Sequence, residues 1–408
     1  MFKMSNNKTL WIILAIAVLN AAGLTIVIPL FPFLLGQYVP AGQVALYLGI
    51  LIAAYAACQF FAAPVMGALS DYFGRKPILL LCLLGTAVGY FILGIGGALW
   101  VFFLGRIIDG LTAGDISIVY AYIADRTEGK ERTKYYGYLG AANGIGFMCG
   151  PAIGGLLGIG HVSLPFYVAG GLSIITATLI YLFLPETLKK EQRIKHISLK
   201  SLNTFGHFKD ILFLKKARIV LPLGFFFFFG LIFYQSNISV FLKDVFAWGP
   251  AYIGALLAVI GACDIASRAL LLPRLLVFSE RTVGQGGLVL MTSGFMCLVL
   301  GAFTGMIALL WTAVVLITLG EGLFDPIYNN LLSASVDESK QGQLQGVNQS
   351  LHSSYGIFGP LAAGAIYLYT PIAVYVIGAI CMLVSLLYFS RIRKASQVSQ
   401  SMVINSRG

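Results

Sequence analysis

Charge is what this sequence lacks. Asp, Glu, Lys and Arg supply 11% of its 408 residues, against about 25% in an ordinary soluble domain. That shortage excludes a water-facing surface over most of the chain. Histidine occurs only four times, and no two cysteines are spaced C-x-x-C, so no metal site is expected. There is no G-x-x-x-x-G-K-[ST] loop to cradle nucleotide phosphates and no G-x-G-x-x-G dinucleotide fingerprint. ATP-driven work by this chain alone, enzyme chemistry and a bound cofactor are therefore not expected.

Apolar length fills the space that charge leaves. Hydrophobic residues make up 58% of the chain and the mean hydropathy is +0.87. The excess comes in runs of about twenty residues, enough for a helix to cross some 30 Å of hydrocarbon. Twelve transmembrane helices are expected, near 10–35, 44–69, 77–97, 99–124, 134–158, 163–184, 218–242, 251–273, 284–304, 307–333, 343–368 and 371–391. The first run is too long for a cleavable signal and is followed by further spans. All six cysteines fall inside these spans and read as small hydrophobes. The fold class is an all-α polytopic membrane protein, whose surrounding partner is the lipid bilayer.

The net charge of +11 is placed in loops and forms no groove-lining stripe, which argues against a nucleic-acid partner. Alternate connections, near 70–76, 125–133, 185–217, 274–283 and 334–342, together with both tails, carry nearly all the basic residues. The connections on the other side carry only Lys243. By the basic bias of short loops, both termini are expected in the cytoplasm of an inner-membrane protein. The segment 185–217, with Lys189, Lys190, Arg193, Lys195, Lys200, Lys209, Lys215 and Lys216, divides the spans six and six. Domains are expected at 1–184 and 218–408, with 185–217 as a basic linker.

An internal repeat supports that division. Asp109-Gly110-Leu111 in the fourth span matches Glu321-Gly322-Leu323 in the tenth, and Asp125 matches Asp337 at the same offset. Slightly further on, Gly137 matches Gly346, and Gly150-Pro151 matches Gly359-Pro360. Two related six-helix halves form an architecture in which a substrate site lies between the halves and access alternates by rocking.

Several residues stand out against the apolar background. The turn Gly67-Ala-Leu-Ser-Asp71-Tyr-Phe-Gly74-Arg75-Lys76-Pro77 packs an acid, two bases and two glycines between two spans. Its glycines are expected to let backbones approach closely, and its bases to reach helix ends or carboxylates. A plain topology anchor is the alternative. In the fourth span Arg106 and Asp109 share a helix face and can pair; Asp115, six residues on, needs another partner or a proton. Ionisable groups at membrane depth are costly and usually functional, and a low dielectric favours the neutral carboxyl that a proton carrier uses. In the second half Asp264 and Arg268 have the spacing of a self-satisfied pair. Glu321 and Asp325 are two acids on one face, which favours protonation of at least one. Asp109, Asp115, Glu321, Asp325 and Arg106 are the proton-coupling candidates.

The fifth span carries Gly146, Gly150, Pro151, Gly154 and Gly155, a small-faced helix suited to close and movable packing. The run Phe225–Phe229 points all round its helix and reads mainly as core. Gln235 and Asn237 beyond it, with Tyr120 and Tyr122 from the first half, are substrate-cavity candidates for an amphipathic small molecule. Asn20 and Asp264 join them.

Taken together, these segments resemble the major facilitator superfamily, and within it the tetracycline-exporter-like branch of the twelve-span drug:proton antiporters. The turn matches the loop signature G-x-L-x-D-x-x-G-R-K/R, Arg106 and Gly110 match the fourth-helix R-x-x-x-G, and Gly146 to Gly155 match the fifth-helix antiporter signature. Ala121-Tyr-Ile-Ala-Asp125 and Val336-Asp-Glu-Ser-Lys-Gln-Gly-Gln-Leu-Gln-Gly346 look branch-specific. The resemblance implies a proton-driven exporter, working as a monomer on a small-molecule substrate. It implies a charge relay of Asp71, Arg75 and Asp125 that locks a cytoplasmic gate, with Arg106 coupling protonation to movement. Two departures are visible. Asn20 stands where tetracycline exporters carry an acid, and the second-half counterpart of the loop is reduced to Phe278-Ser-Glu280-Arg281. They weigh against tetracycline as the cargo and toward a relocated proton site. A transporter of a specific metabolite, such as a siderophore or organic anion bound by Arg106 and Arg268, and a non-transporting sensor on the same fold are the alternatives.

Overall fold

In lipid every backbone N–H and C=O must find a partner inside the segment, which leaves the helix as the form open to long apolar runs. A computed structural model describes residues 7–188, 191, 193–194, 215–335 and 341–405, and the described residues form helices with no strand. The linker lysines Lys189, Lys190, Lys195, Lys200 and Lys209, and the run Val336–Lys340 with the repeat residue Asp337, lie outside them.

The first six spans are α1 (Asn7–Thr25) continued by a 3₁₀ turn and α2 (Phe31–Leu35), α3 (Val44–Phe73), α4 (Arg75–Ile95), α5 (Leu99–Leu111) continued by α6 (Asp115–Ala124), α7 (Gly129–Leu157) and α8 (Leu164–Phe183). After the linker come α9 (Lys215–Phe246), α10 (Pro250–Ala266) continued through a π-turn into α11 (Leu272–Leu275), α12 (Glu280–Thr304), α13 (Ile307–Ser333), α14 (Gln341–Tyr367) and α15 (Pro371–Asn405). Among the described residues, 11 helical stretches are long and apolar enough to cross a membrane, and α14 accounts for the remaining expected span.

Three spans are interrupted, two of them at prolines. Pro29 and Pro32 fall where α1 passes through the 3₁₀ turn into α2. Pro273 has no N–H to offer the preceding turn, and the ladder widens into a π-turn at Ser267–Leu271 just before it. The fourth span, expected as one helix, opens at Thr112–Gly114, so Asp115 begins a new helix.

The chain forms two compact units. One holds residues 1–204 together with 238–262 and 356–368; the other holds 205–237, 263–355 and 369–408. In the first, Gly146, Gly150 and Gly154 on α7 face Ala21, Thr25 and Ile26, and Gly155 faces Pro250 and Gly254 at the start of α10; a Cβ at any of them would clash with backbone or side chain. Nearby, the Lys243 ammonium donates to the carbonyl of Pro32 at 3.0 Å and lies over the Phe33 ring, while the Tyr367 hydroxyl donates to Asp244 at 3.2 Å. Ile16, Leu79, Tyr122, Ile123 and Ile180 pack a core at the opposite end of the same unit. In the second unit, Phe227, Phe295, Phe324 and Phe389 are fully buried.

Candidate functional site

The charged turn between α3 and α4 is a closed cluster. Gly74 has φ +111°, a conformation that suits glycine, and it reverses the chain between Phe73 and Arg75. Arg75, with its side chain 10% exposed, pairs with Asp71 at 2.5 Å and with Asp125 at 3.0 Å, and donates to Ser70 at 2.8 Å. Gly67 plays a different part from the one expected: a Cβ there would meet nothing within 4 Å, so it makes no close backbone approach in this structure.

A residue not singled out in the sequence completes the cluster. The Glu186 carboxylate accepts from the backbone N–H groups of Arg75 at 3.0 Å and Lys76 at 3.1 Å, the first donors of α4, and from those of Thr187 and Leu188. An anion at a helix N-terminus satisfies donors that the helix itself cannot. Thr187 donates to Asp125 at 2.9 Å, the Tyr122 hydroxyl to the Pro185 carbonyl at 2.9 Å, and Lys76 to the Tyr181 carbonyl at 2.7 Å. The first residues after α8 are thus strapped across the turn. The signal was Pro185-Glu186-Thr187, a helix stop followed at once by an acid.

In the fourth span Arg106 bonds Asp109 at 3.1 Å, and Asp109 is 1% exposed. The guanidinium lies 4.1 Å from the Tyr55 ring centre and 5.5 Å from that of Phe31, in cation–π positions. Asp115 sits in the first turn of α6, and Asn20 of α1 donates to its carboxylate at 2.5 Å. A small cavity beside this contact is lined by Ile16, Asn20, Ile116, Val119 and Asn143. The partner that the sequence left open for Asp115 is therefore Asn20.

The second unit corrects one expectation. Arg268, in the π-turn, bonds Asp264 at 2.7 Å and also reaches Asp325 on α13 at 2.8 Å. Asp325 further accepts from Asn329 at 2.9 Å. Asp264 and Arg268 are thus not a closed pair, and Asp325 is neutralised by a guanidinium rather than crowded by Glu321 alone. Glu321 is partly accessible and has no hydrogen-bond or ion-pair partner among the described residues. Phe228 packs with Tyr328, His352 and Tyr355, its ring centre 4.0 Å from that of His352.

The remaining cavity candidates are scattered. Tyr122 is buried under the strap, and Tyr120 is exposed against Tyr136. Asn237 is buried and donates to Ser236, while Gln235 is exposed. Among the described residues no group of three or more His, Cys, Asp or Glu could hold a metal ion.

Comparison with known proteins fits this arrangement. The Major Facilitator Superfamily model matches residues 13–360 and 278–402. The chain is 35% identical over 367 residues to the class H tetracycline resistance protein of Pasteurella multocida, covering 89% of this chain and 90% of that one. It is 30% identical over 374 residues to multidrug resistance protein 2 of Bacillus subtilis (strain 168), covering 89% and 90%. In structure it resembles a bacterial homolog of the human lysosomal transporter Spinster, in an inward-facing and unoccupied conformation, with a TM-score of 0.77, 14% identity and coverage of 95% and 97%. The chain is a multi-pass membrane transporter that belongs to the Major Facilitator Superfamily, alongside the tetracycline and multidrug resistance proteins.

Proposed function

We propose that the chain is a proton-coupled exporter of small amphipathic organic compounds, working by alternating access as a monomer in the cytoplasmic membrane with both termini inside. Its sequence halves, joined by the basic linker, would rock about a central site. The observation that carries this reading is the Asn20–Asp115 contact: a carboxyl held within an apolar span by a neutral amide, in a chain related to drug-resistance proteins. An amide stabilises either protonation state of its partner, whereas a guanidinium would fix the charged one. Asp115 and Glu321 are the proton carriers under this reading; Asp109 and Asp325, each bound to an arginine, tune the field around them. The cluster of Asp71, Arg75 and Asp125 is the cytoplasmic lock.

Arg106 and Arg268 are already engaged by acids, which counts against a free cation waiting for an anionic metabolite. Asn20 in place of an acid counts against tetracycline as the cargo. The test is substrate-dependent proton flux in proteoliposomes across a panel of amphipathic compounds. Asp115→Asn is expected to abolish gradient-driven transport while the protein still inserts. Undiminished flux in that variant removes Asp115 from the mechanism.

A further inference from the structure

The R-x-x-x-G spacing of the fourth span has a geometric reason. Gly110 lies against α3: a Cβ there would come within 2.7 Å of the Tyr55 carbonyl oxygen and of the Cys58 Cβ. One turn earlier on the same face of α5, the Arg106 guanidinium lies 4.1 Å from the Tyr55 ring centre. Phe31 of α2 stands 5.5 Å away on the guanidinium, its ring set edge-on to Phe166. Asp109 accepts from one guanidinium nitrogen at 3.1 Å, whereas Nε is buried and has no hydrogen-bond partner among the described residues. Buried N–H groups are ordinarily satisfied, so ring faces hold this cation where acceptors are missing. The Tyr55 hydroxyl accepts from Gln59 of its own helix at 3.4 Å, which leaves the ring face as the part of Tyr55 that meets Arg106. The second sequence half repeats the glycine contact with the partners exchanged. Gly322, the counterpart of Gly110, lies against Ser267 and Arg268 of the π-turn, and there the guanidinium comes from the facing helix.

We infer that Tyr55 is a positioning residue of the transport cycle: its ring face holds the Arg106 guanidinium beside Asp109, and Gly110 is the residue that brings the ring there. The choice of a ring over a second acid has a physical consequence. A carboxylate in that place would neutralise the guanidinium and fix it by directional bonds. A ring face attracts the cation without setting a bond direction. It keeps Arg106 charged at membrane depth and lets the guanidinium slide as α3 and α5 shift past each other, which a residue that couples protonation to movement needs. The role of Tyr55 rests on the reading of the chain as a proton-coupled exporter; the contact does not.

A double-mutant cycle on the full chain in lipid nanodiscs tests the contact without a cargo. Tyr55→Leu is expected to lower the melting midpoint by about 2 °C in the wild-type background. Once Arg106→Gln has removed the cation, the same change should cost less than half as much, because both substitutions delete one contact. Should Arg106→Gln not insert, Arg106→Lys, whose ammonium has no flat face to lay on a ring, takes its place. Additive shifts overturn the contact. The role is read in proteoliposomes, as pH-gradient-driven uptake of ethidium and acriflavine, two planar amphipathic cations. Tyr55→Leu is expected to lower turnover about ten-fold for both dyes and to leave KM within about two-fold. Tyr55→Phe, which keeps the ring face, is expected to restore most of the turnover. A raised KM at unchanged turnover would make Tyr55 a cargo contact, and full turnover in Tyr55→Leu would make the ring a packing feature alone; either result overturns the positioning role. If the wild-type chain moves neither dye, the exporter reading falls and the role of Tyr55 with it, while a non-additive melting cycle leaves the contact standing.

Discussion

The turn before α4 and the turn before α12 occupy corresponding places in the two sequence halves, and they close the same kind of helix start by opposite means. Before α12, Ser279 accepts from Thr282 N–H at 3.2 Å, a cap supplied three residues away. Glu280 accepts from Asn330, and Arg281 donates to the Ser390 carbonyl. Before α4 no local cap is present, and the donors of Arg75 and Lys76 are taken by Glu186, more than a hundred residues downstream. A local cap forms with its helix and ties nothing else down. A distant cap makes the helix start, the Asp71–Arg75–Asp125 cluster and the linker depend on one another. The intact turn is thereby assembled from distant parts of the chain, whereas its counterpart is an ordinary helix start.

Removing the centre of the first turn is expected to have the largest effect. Arg75→Ala leaves Asp71 and Asp125 facing a gap; losing the buried guanidinium of a partly exposed ion cluster costs about 2 kcal/mol, between a surface and a buried pair, and transport in vesicles should fall about ten-fold or more. Arg75→Lys should recover only part of it, since a single ammonium lacks the planar fork that meets two acids and Ser70 together. Wild-type rates in Arg75→Ala would show that the cluster is a mere anchor. Glu186→Ala is expected next, at about 1–2 kcal/mol for the lost cap, with a severalfold slower transport rate. Freed from the turn, the strap should also be cut faster by trypsin at Arg193, and an unchanged digestion rate would argue that the strap is held elsewhere. The smallest effect is expected from Ser279→Ala: about 1 kcal/mol from a lost N-cap, seen as a lower melting temperature with transport untouched. If Ser279→Ala slows transport as much as Glu186→Ala, the contrast between the two turns fails.

Much of the molecule was legible in the sequence because its governing signals are local. Apolar length gave the spans to within a few residues, since the end of a run and the end of a helix have the same cause, the return of the chain to water. The i, i+3 spacing gave Arg106–Asp109, and i, i+4 gave Asp264–Arg268. What spacing could not give were partners on other spans. Arg268 reaches Asp325 because both lie at the same depth on neighbouring helices, and Asn20 meets Asp115 for the same reason. The opening at Thr112–Gly114 was hidden because the apolar run continues across it. Glu186 escaped notice because a capping acid is expected next to its helix, not on the far side of four others.

Lys243 has a practical consequence. It sits in the last turn of α9 and is the lone Lys or Arg among the helix ends and connections at its end of the molecule, and its amine is held against the Pro32 carbonyl and the Phe33 ring. An amine so engaged is a poor nucleophile toward an acylating reagent, and becomes a good one when the contact parts. A membrane-impermeant amine reagent applied from that side would therefore modify a single position, and its rate would clock how often that end of the transporter opens, with no label introduced and no residue changed.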